Sequence, residues 1–271
     1  MQPPPLIELA VFDVAGTTVR DDHAVADTIR AALAAHGHVV ERASVAEVMG
    51  LPKPVAIRAL LTETLRVGPS DAEVESVHAD FVARMVDHYA HADGVREIEG
   101  ARRALHRLRN AGIRVALDTG FSRAILGVLL ERLDWRVGVE VDATVTSDEV
   151  PNGRPFPDMI LRAMDLVGVT NPHHVAKVGD TPADLASGKA ADCGLVIGVT
   201  SGSCDADELR AYPHTHLLPN VGLVAALLAS GQRRLEMRKA REYSTGPRTK
   251  AAKTRPILRA AGFRPRRTTR P

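Results

Sequence analysis

Aromatic residues are scarce: one Trp, three Tyr and five Phe make up 3% of the 271 residues. A core must therefore be packed mainly from Ala, Val, Leu and Ile. Cysteine is scarcer still, and Cys193 and Cys204 alone make neither a disulfide framework nor a zinc set. Cys193 reads as a small core residue. No apolar run approaches the roughly 20 residues that span a bilayer. The N-terminal MQPPPLIELAVFD has neither a basic n-region nor an A-x-A cleavage site, so no signal peptide is read and a cytoplasmic protein is expected. What is present is ordinary for a globular chain: 45% hydrophobic and 25% charged residues. The length gives room for one or two domains.

The net charge of +2 conceals an asymmetry. From Arg233 onward there are 14 Lys/Arg against Glu236 and Glu242, a local +12, which leaves residues 1–232 at 2 − 12 = −10. Residues 232–271 also carry breakers and little periodicity, and read as a basic, largely disordered tail. Without aromatic interleaving or a recognisable module, the tail is read as a solvated extension and not as a nucleic-acid-binding element.

Leu6 to Phe12 forms an aliphatic run of the kind found in a central parallel strand, ending in Asp13-Val14-Ala15-Gly16-Thr17-Thr18. Four helical patterns follow without strands. Val25, Ile29, Ala32 and Leu33 mark the first, and Ser44-Val45-Ala46-Glu47 is a capping-box pattern expected to open the second. Pro54 is expected to begin the third, and Ser70-Asp71-Ala72-Glu73 caps a long fourth. Residues 21–93 thus read as an inserted helical cap, and 1–20 with 94–231 as the catalytic core. From about residue 98 helices and strands alternate. Strands are expected over 113–117, 141–145, 174–178 and 195–199, with Thr181 and Pro182 opening a helix. The pattern predicts an α/β fold, a doubly wound parallel sheet, with its strand-end loops at Asp13, Thr119 and Asp180 along one edge.

Those loops carry the groups a phosphate enzyme needs. Asp13 can take up a phosphoryl group and release it to water. Thr119 and Gly120 offer a hydroxyl and backbone N–H groups to phosphate oxygens. Arg154, in Gly153-Arg154-Pro155, supplies a planar cation for bidentate contact. Asp180 and Asp184, in GDTPAD, supply hard oxygen ligands of the sort Mg²⁺ prefers.

Taken together, these segments resemble the haloacid dehalogenase superfamily over nearly all of residues 6–230. The resemblance implies a Rossmann-like core, Asp13 as aspartyl nucleophile and Thr119 as phosphate-binding hydroxyl. It implies Mg²⁺ held by Asp13, the Ala15 carbonyl and Asp180, with Asp184 in support. Two departures narrow it. Most phosphatase members carry an Asp where this chain has Ala15, and that Asp is the general acid for an alkoxide leaving group. Most members also have Lys where Arg154 stands. DxAGT and GRP look like the phosphonoacetaldehyde hydrolase (phosphonatase) branch, whose members carry a lysine in a Met-Gly-Leu-x-Lys context. Here the chain reads Met49-Gly50-Leu51-Pro52-Lys53. The branch implies that Lys53 condenses with an aldehyde, so that carbon leaves as an enamine needing no acid at position 15, and it makes Met49 a substrate-binding residue. Lys53, preceding Pro54, is expected to be extended and to sit at a helix N-terminus that disfavours its charged form. The branch commonly has a His three residues beyond the lysine; here that position is Ala56, with His23 as a substitute.

The expected activity is therefore Mg²⁺-dependent cleavage of the carbon–phosphorus bond of phosphonoacetaldehyde or a similar 2-oxoalkylphosphonate, by a homodimer acting on a small phosphonate or phosphate. The alternative is a phosphatase acting on small phosphate esters. A noncatalytic phosphate- or nucleic-acid-binding protein is the reading from another class. Each of these residues also has a plainer reading: Asp13 as a turn residue, Lys53 as a solvated lysine, Arg154 paired with Asp148 or Glu149. His173-His174 and His214-x-His216 read as surface or strand-edge histidines, not metal ligands.

Overall fold

The computed structural model describes residues 6–65 and 68–229. The expected tail, 232–271, lies outside the described residues. At the centre is β1 (Leu9–Phe12), every residue of it buried. Leu9 and Val11 point to one face of the sheet, where they join Ala116, Met159 and Ile160; Ala10 and Phe12 point to the other, joining Leu105, Leu108 and Ile125. Burial on both faces explains why the strand reads as an unbroken aliphatic run rather than an alternation.

Around β1 lie β2 (Arg114–Thr119), β3 (Ala143–Thr146), β4 (Val175–Gly179), β5 (Leu195–Val199) and β6 (His216–Leu218). All pairs are parallel, in the order β3-β2-β1-β4-β5-β6. The chain winds outward from β1 to β3, then returns to β4 on the other side of β1. The reversal leaves a crevice at the carboxyl ends of β1 and β4, which is where open α/β sheets hold ligands. This is the expected doubly wound α/β fold. The edge strand β6 was not foreseen: three half-buried residues give no periodic signal, and it forms by pairing with Ile197–Val199 of β5.

Between β1 and β2 come α1 (Ala24–Ala35), α2 (Arg42–Glu47), α3 (Lys53–Thr64), α4 (Asp71–His91) and α5 (Ala101–Asn110). The apolar stripes of α1, α3 and α4 join one face of the sheet in a single continuous cluster. Ser70 caps α4 as expected, its side chain accepting from the Glu73 N–H at 3.2 Å. Two local readings are corrected. Ser44 lies inside α2, whose N-cap is the extended Glu41; its hydroxyl donates to Glu63 of α3 at 2.8 Å instead of capping. The Val45 N–H donates to the Glu41 carbonyl at 3.3 Å, which starts the helix ahead of Ser44. Lys53 is the first residue of α3 and not an extended one. Pro52 (φ −54°, ψ 136°) takes the extended role, and Pro54 falls in the first turn, where a missing N–H costs nothing.

Further along come α6 (Arg123–Arg132), α7 (Asp158–Val167), α8 (Pro182–Ala190) and α9 (Ala206–Arg210). Thr181 is the N-cap of α8 with Pro182 first in the helix, as the sequence predicts. Among the described residues no helix is long and apolar enough to cross a membrane.

Candidate active site

The crevice collects carboxylates from three strand ends. Asp13 follows β1 and its N–H donates to Val178 of β4 at 2.9 Å, so the ladder itself fixes its place. Asp180 follows β4 and is fully buried. Its Oδ1 accepts from the Thr17 hydroxyl at 2.9 Å and its Oδ2 from the Ser203 N–H at 2.6 Å. Asp184 sits one turn into α8, where Oδ2 accepts from the Thr181 hydroxyl at 2.6 Å and the two residues form a capping box. Asp118, the penultimate residue of β2, is fully buried as well.

Two buried cations hold this group together. Arg154 Nη1 lies 2.7 Å from Asp13 Oδ1 and 3.0 Å from Asp184 Oδ1, and Nη2 lies 2.8 Å from Asp118 Oδ1. Its terminal nitrogens are thus engaged by three carboxylates, leaving Nε without a partner. Lys177, in the middle of β4, reaches Asp184 at 2.9 Å and also pairs with Asp118. Arg154 does not pair with Asp148 or Glu149; Arg123 engages both.

Asp13, Asp118 and Asp184 bring oxygens within 4.8 Å of one another, close enough to hold a metal ion. That space is already bridged by Arg154 and Lys177, and we read the triad as a salt-bridge network. The charge count points elsewhere: Asp13, Asp118, Asp180 and Asp184 against Arg154, Lys177 and Lys53 leaves 4 − 3 = 1 negative charge uncompensated. Asp180 makes no ion pair among the described residues. Burial and the charge of Asp184 push its carboxyl up to about 6. Asp13 is raised too, by burial first, with Arg154 pulling it down and Asp184 and Asp180 pushing it up. Asp13 and Asp180, with the backbone of Ala15 in the turn between β1 and Thr17, are hard oxygen donors facing a deficit of positive charge, and these residues fit a divalent cation.

Thr119 ends β2. Its Oγ1 accepts from the Phe121 N–H at 3.2 Å, which leaves the hydroxyl proton to donate to a ligand. Gly120 follows, and the Met49–Lys53 segment presses against it. A Cβ at Gly120 would stand 2.7 Å from the Leu51 carbonyl oxygen, and one at Gly153 would collide with the Pro52 ring.

Lys53 is 4% exposed. Its Nζ lies 5.7 Å from the centre of the Phe121 ring, an apolar seat for an amine. Burial lowers the amine to about 8, against the opposing pull of Asp21 and Asp13, with Arg154 lowering it further. Ala56, one turn along, is buried and has no proton to move, and His23 is exposed at the start of α1. A cavity of about 1400 Å³ reaches this region, with Gly16, Asp21, Met49, Leu51, Pro182 and Ser203 on its walls. Half-buried Met49 is thus on the approach to the site, while Asp13, Lys53, Thr119 and Arg154 lie just behind the walls, none more than 5% exposed.

Lys177, Asp118, Asp21 and Tyr89 belong to the site and were not singled out from sequence. A lysine inside the buried run VAKVG was the one available signal. Asp118 could have been marked as a strand-end carboxylate beside Thr119. The paired histidines are ordinary: His174 contacts Glu8 at 2.9 Å and His173 contacts Asp192 at 3.5 Å, both at the surface side of β4.

Comparison with known proteins agrees with this geometry. The profile of the haloacid dehalogenase-like hydrolase family matches residues 7–192. A phosphonoacetaldehyde hydrolase from Syntrophobacter fumaroxidans is 34% identical over 235 residues, covering 80% of this chain and 82% of that protein. Among solved structures, a phosphonoacetaldehyde hydrolase-like protein from Oleispira antarctica superposes with a TM-score of 0.72 at 21% identity, covering 88% of this chain and 96% of that one. CbbY from Rhodobacter sphaeroides, solved with phosphate, gives 0.68 at 20% identity, covering 80% and 96%. Both structural likenesses are to the fold.

Proposed function

The chain belongs to the haloacid dehalogenase-like hydrolases, and on that footing we propose that it cleaves the carbon–phosphorus bond of phosphonoacetaldehyde or a close 2-oxoalkylphosphonate. The observation that carries the reading is the buried amine of Lys53, held near 8, close enough to Asp13 for their charges to interact, in a site whose acid position is Ala15. A phosphate-ester hydrolase gains nothing from such an amine and lacks the proton donor its leaving group needs. The name of the relative from Syntrophobacter fumaroxidans supports the same substrate class.

In this reading residues 21–93 are a cap that closes the site, and Lys53 is its reactive group. Neutral Lys53 adds to the aldehyde carbon; the carbinolamine hydroxyl takes up a proton and leaves as water, which gives a protonated imine. Asp13 attacks phosphorus, and the C–P bonding pair moves into the imine to give a neutral enamine, so no acid is required at position 15. The enamine takes a proton at carbon and is hydrolysed from Lys53, while water releases phosphate from Asp13. Thr119 donates its hydroxyl, and Gly120 its N–H, to phosphonate oxygens; Arg154 holds Asp13 in line and sets a positive charge against the same group. Mg²⁺, held by Asp13, the Ala15 carbonyl and Asp180 with Asp184 behind it, would neutralise the charge between two anions when bound.

Borohydride added with phosphonoacetaldehyde should label wild type covalently at Lys53 and leave Lys53→Arg unlabelled. A wild type that turns over the phosphonate without being labelled sinks the imine. Faster turnover of p-nitrophenyl phosphate than of the phosphonate would mark a phosphatase instead.

A further inference from the structure

Tyr89 of α4 is 1% exposed, yet its hydroxyl has no hydrogen-bond partner. A buried phenol left unpaired is uncommon, because the desolvated O–H forfeits its bonds to water. The ring is packed edge-on against Phe121 at 5.9 Å, and Lys53 Nζ sits against that same Phe121 ring at 5.7 Å. The phenol and the amine are therefore neighbours across one aromatic side chain. The third member is Asp21, at the mouth of α1. Its Oδ1 accepts from the Val25 N–H at 3.0 Å, and its residue forms part of the cavity wall. Asp21 is the strongest opposing charge on Lys53, and its charge, ahead of that of Asp13, raises the Tyr89 hydroxyl after burial does. No ion pair within 4.0 Å joins Asp21 to Lys53.

Resting on the imine reading above, we propose that the unpaired Tyr89 hydroxyl is a catalytic hydrogen-bond donor to the substrate's carbonyl oxygen, and that Asp21 relays the proton of Schiff-base formation at Lys53. The proton count closes. The Lys53 ammonium gives one proton to the Asp21 carboxylate, and the free amine adds to the carbonyl carbon. The oxygen gains negative charge while held by Tyr89, and a proton crosses from nitrogen to that oxygen to give the carbinolamine. Asp21 returns its proton to the hydroxyl, the C–O bond breaks, and water leaves with its electron pair. Ammonium plus aldehyde has become protonated imine plus water, with Asp21 and Tyr89 restored. The pair supplies what Ala56 cannot, from α4 and the turn before α1. It also accounts for a hydroxyl that contributes no bond to the free protein.

The test is the rate of borohydride-dependent labelling by phosphonoacetaldehyde in wild type, Tyr89→Phe and Asp21→Asn, with melting temperatures alongside. Tyr89→Phe removes only the unpaired oxygen, so labelling should slow at least tenfold with the melting temperature equal or higher. Asp21→Asn keeps the acceptor for Val25 and removes the charge. Labelling should again slow at least tenfold, and the acid limb of its pH profile should move to lower pH as Lys53 loses its main anionic neighbour. Labelling at the wild-type rate in both variants overturns the inference and leaves the imine reading standing. Slower labelling that tracks a lowered melting temperature, with no movement of the pH limb, also overturns it. An unlabelled wild type removes both readings together.

Discussion

The carbonyl oxygen of Leu51 stands 2.7 Å from the point where a side chain at Gly120 would begin. Backbone from the helical segment thus rests directly on the strand end that follows Thr119, and the missing Cβ is what permits it. Gly120→Ala should push the Met49–Lys53 segment away from Thr119. The expected outcome is at least a tenfold loss in kcat/KM for the phosphonate. Far-UV circular dichroism should be unchanged, since the fold does not depend on that contact.

In the proposed reaction Lys53 sets the pH dependence. The neutral amine is the reactive form, and burial lowers the group to about 8. Activity should therefore fall about tenfold per pH unit below about 8 and level off above it. At pH 7 roughly one amine in eleven is neutral, against about one in 2,500 at the ordinary value near 10.4. The lowered value thus raises the reactive fraction about 200- to 300-fold. A kcat/KM profile from pH 6 to 9.5 checks the position of the limb, and a midpoint near 10 would mean that the amine is solvated.

Lys177 is fully buried between Asp118 and Asp184. Lys177→Met keeps the length of the side chain and removes the charge, leaving two buried carboxylates with Arg154 alone. Breaking a buried pair from one side costs on the order of 3–5 kcal/mol. Chemical denaturation should show a loss of that size, and Asp118→Asn in the same protein should recover part of it, because the pair is coupled.

Asp180 should control the demand for metal. Chelation should abolish phosphonate turnover and Mg²⁺ should restore it. Asp180→Asn should raise the Mg²⁺ concentration for half-maximal activity at least tenfold. Wild type should also melt higher in Mg²⁺, by the equivalent of about 2.7 kcal/mol at a hundred times the dissociation constant. The variant should show little of that shift at the same concentration. A melting temperature indifferent to Mg²⁺ in wild type would count against a site at Asp13 and Asp180.

Much of the architecture is legible because it is written in local pattern. β1, β4 and β5 are buried on both faces and announce themselves as aliphatic runs, and the turns after β1 and β4 carry Asp13 and Asp180. Thr181 and Pro182 mark the start of α8 because capping chemistry is local. Ser44 shows the limit: the same chemistry fits a hydroxyl inside α2, and only the Val45 N–H bond to Glu41 and the reach to Glu63 decide against the cap. β6 is three residues long and owes its existence to β5. Within the site, Asp13 and Asp180 follow from strand ends. Lys177 and Tyr89 do not, since their meaning lies in what faces them across the fold. Arg154 was read as a phosphate clamp, yet what it touches in the structure is Asp13, Asp118 and Asp184.

The seat of the Met49–Lys53 segment has a consequence for anyone recombining such proteins. Leu51 and Pro52 fit only because Gly120 and Gly153, 33 positions apart on the other side of the crevice, bring no side chains. The Lys53 amine is therefore aligned by two positions that matter here for the side chains they lack. A chimera that carried residues 21–93 onto a foreign scaffold would inherit Lys53 intact and still misplace it. The two glycines must travel with the insert.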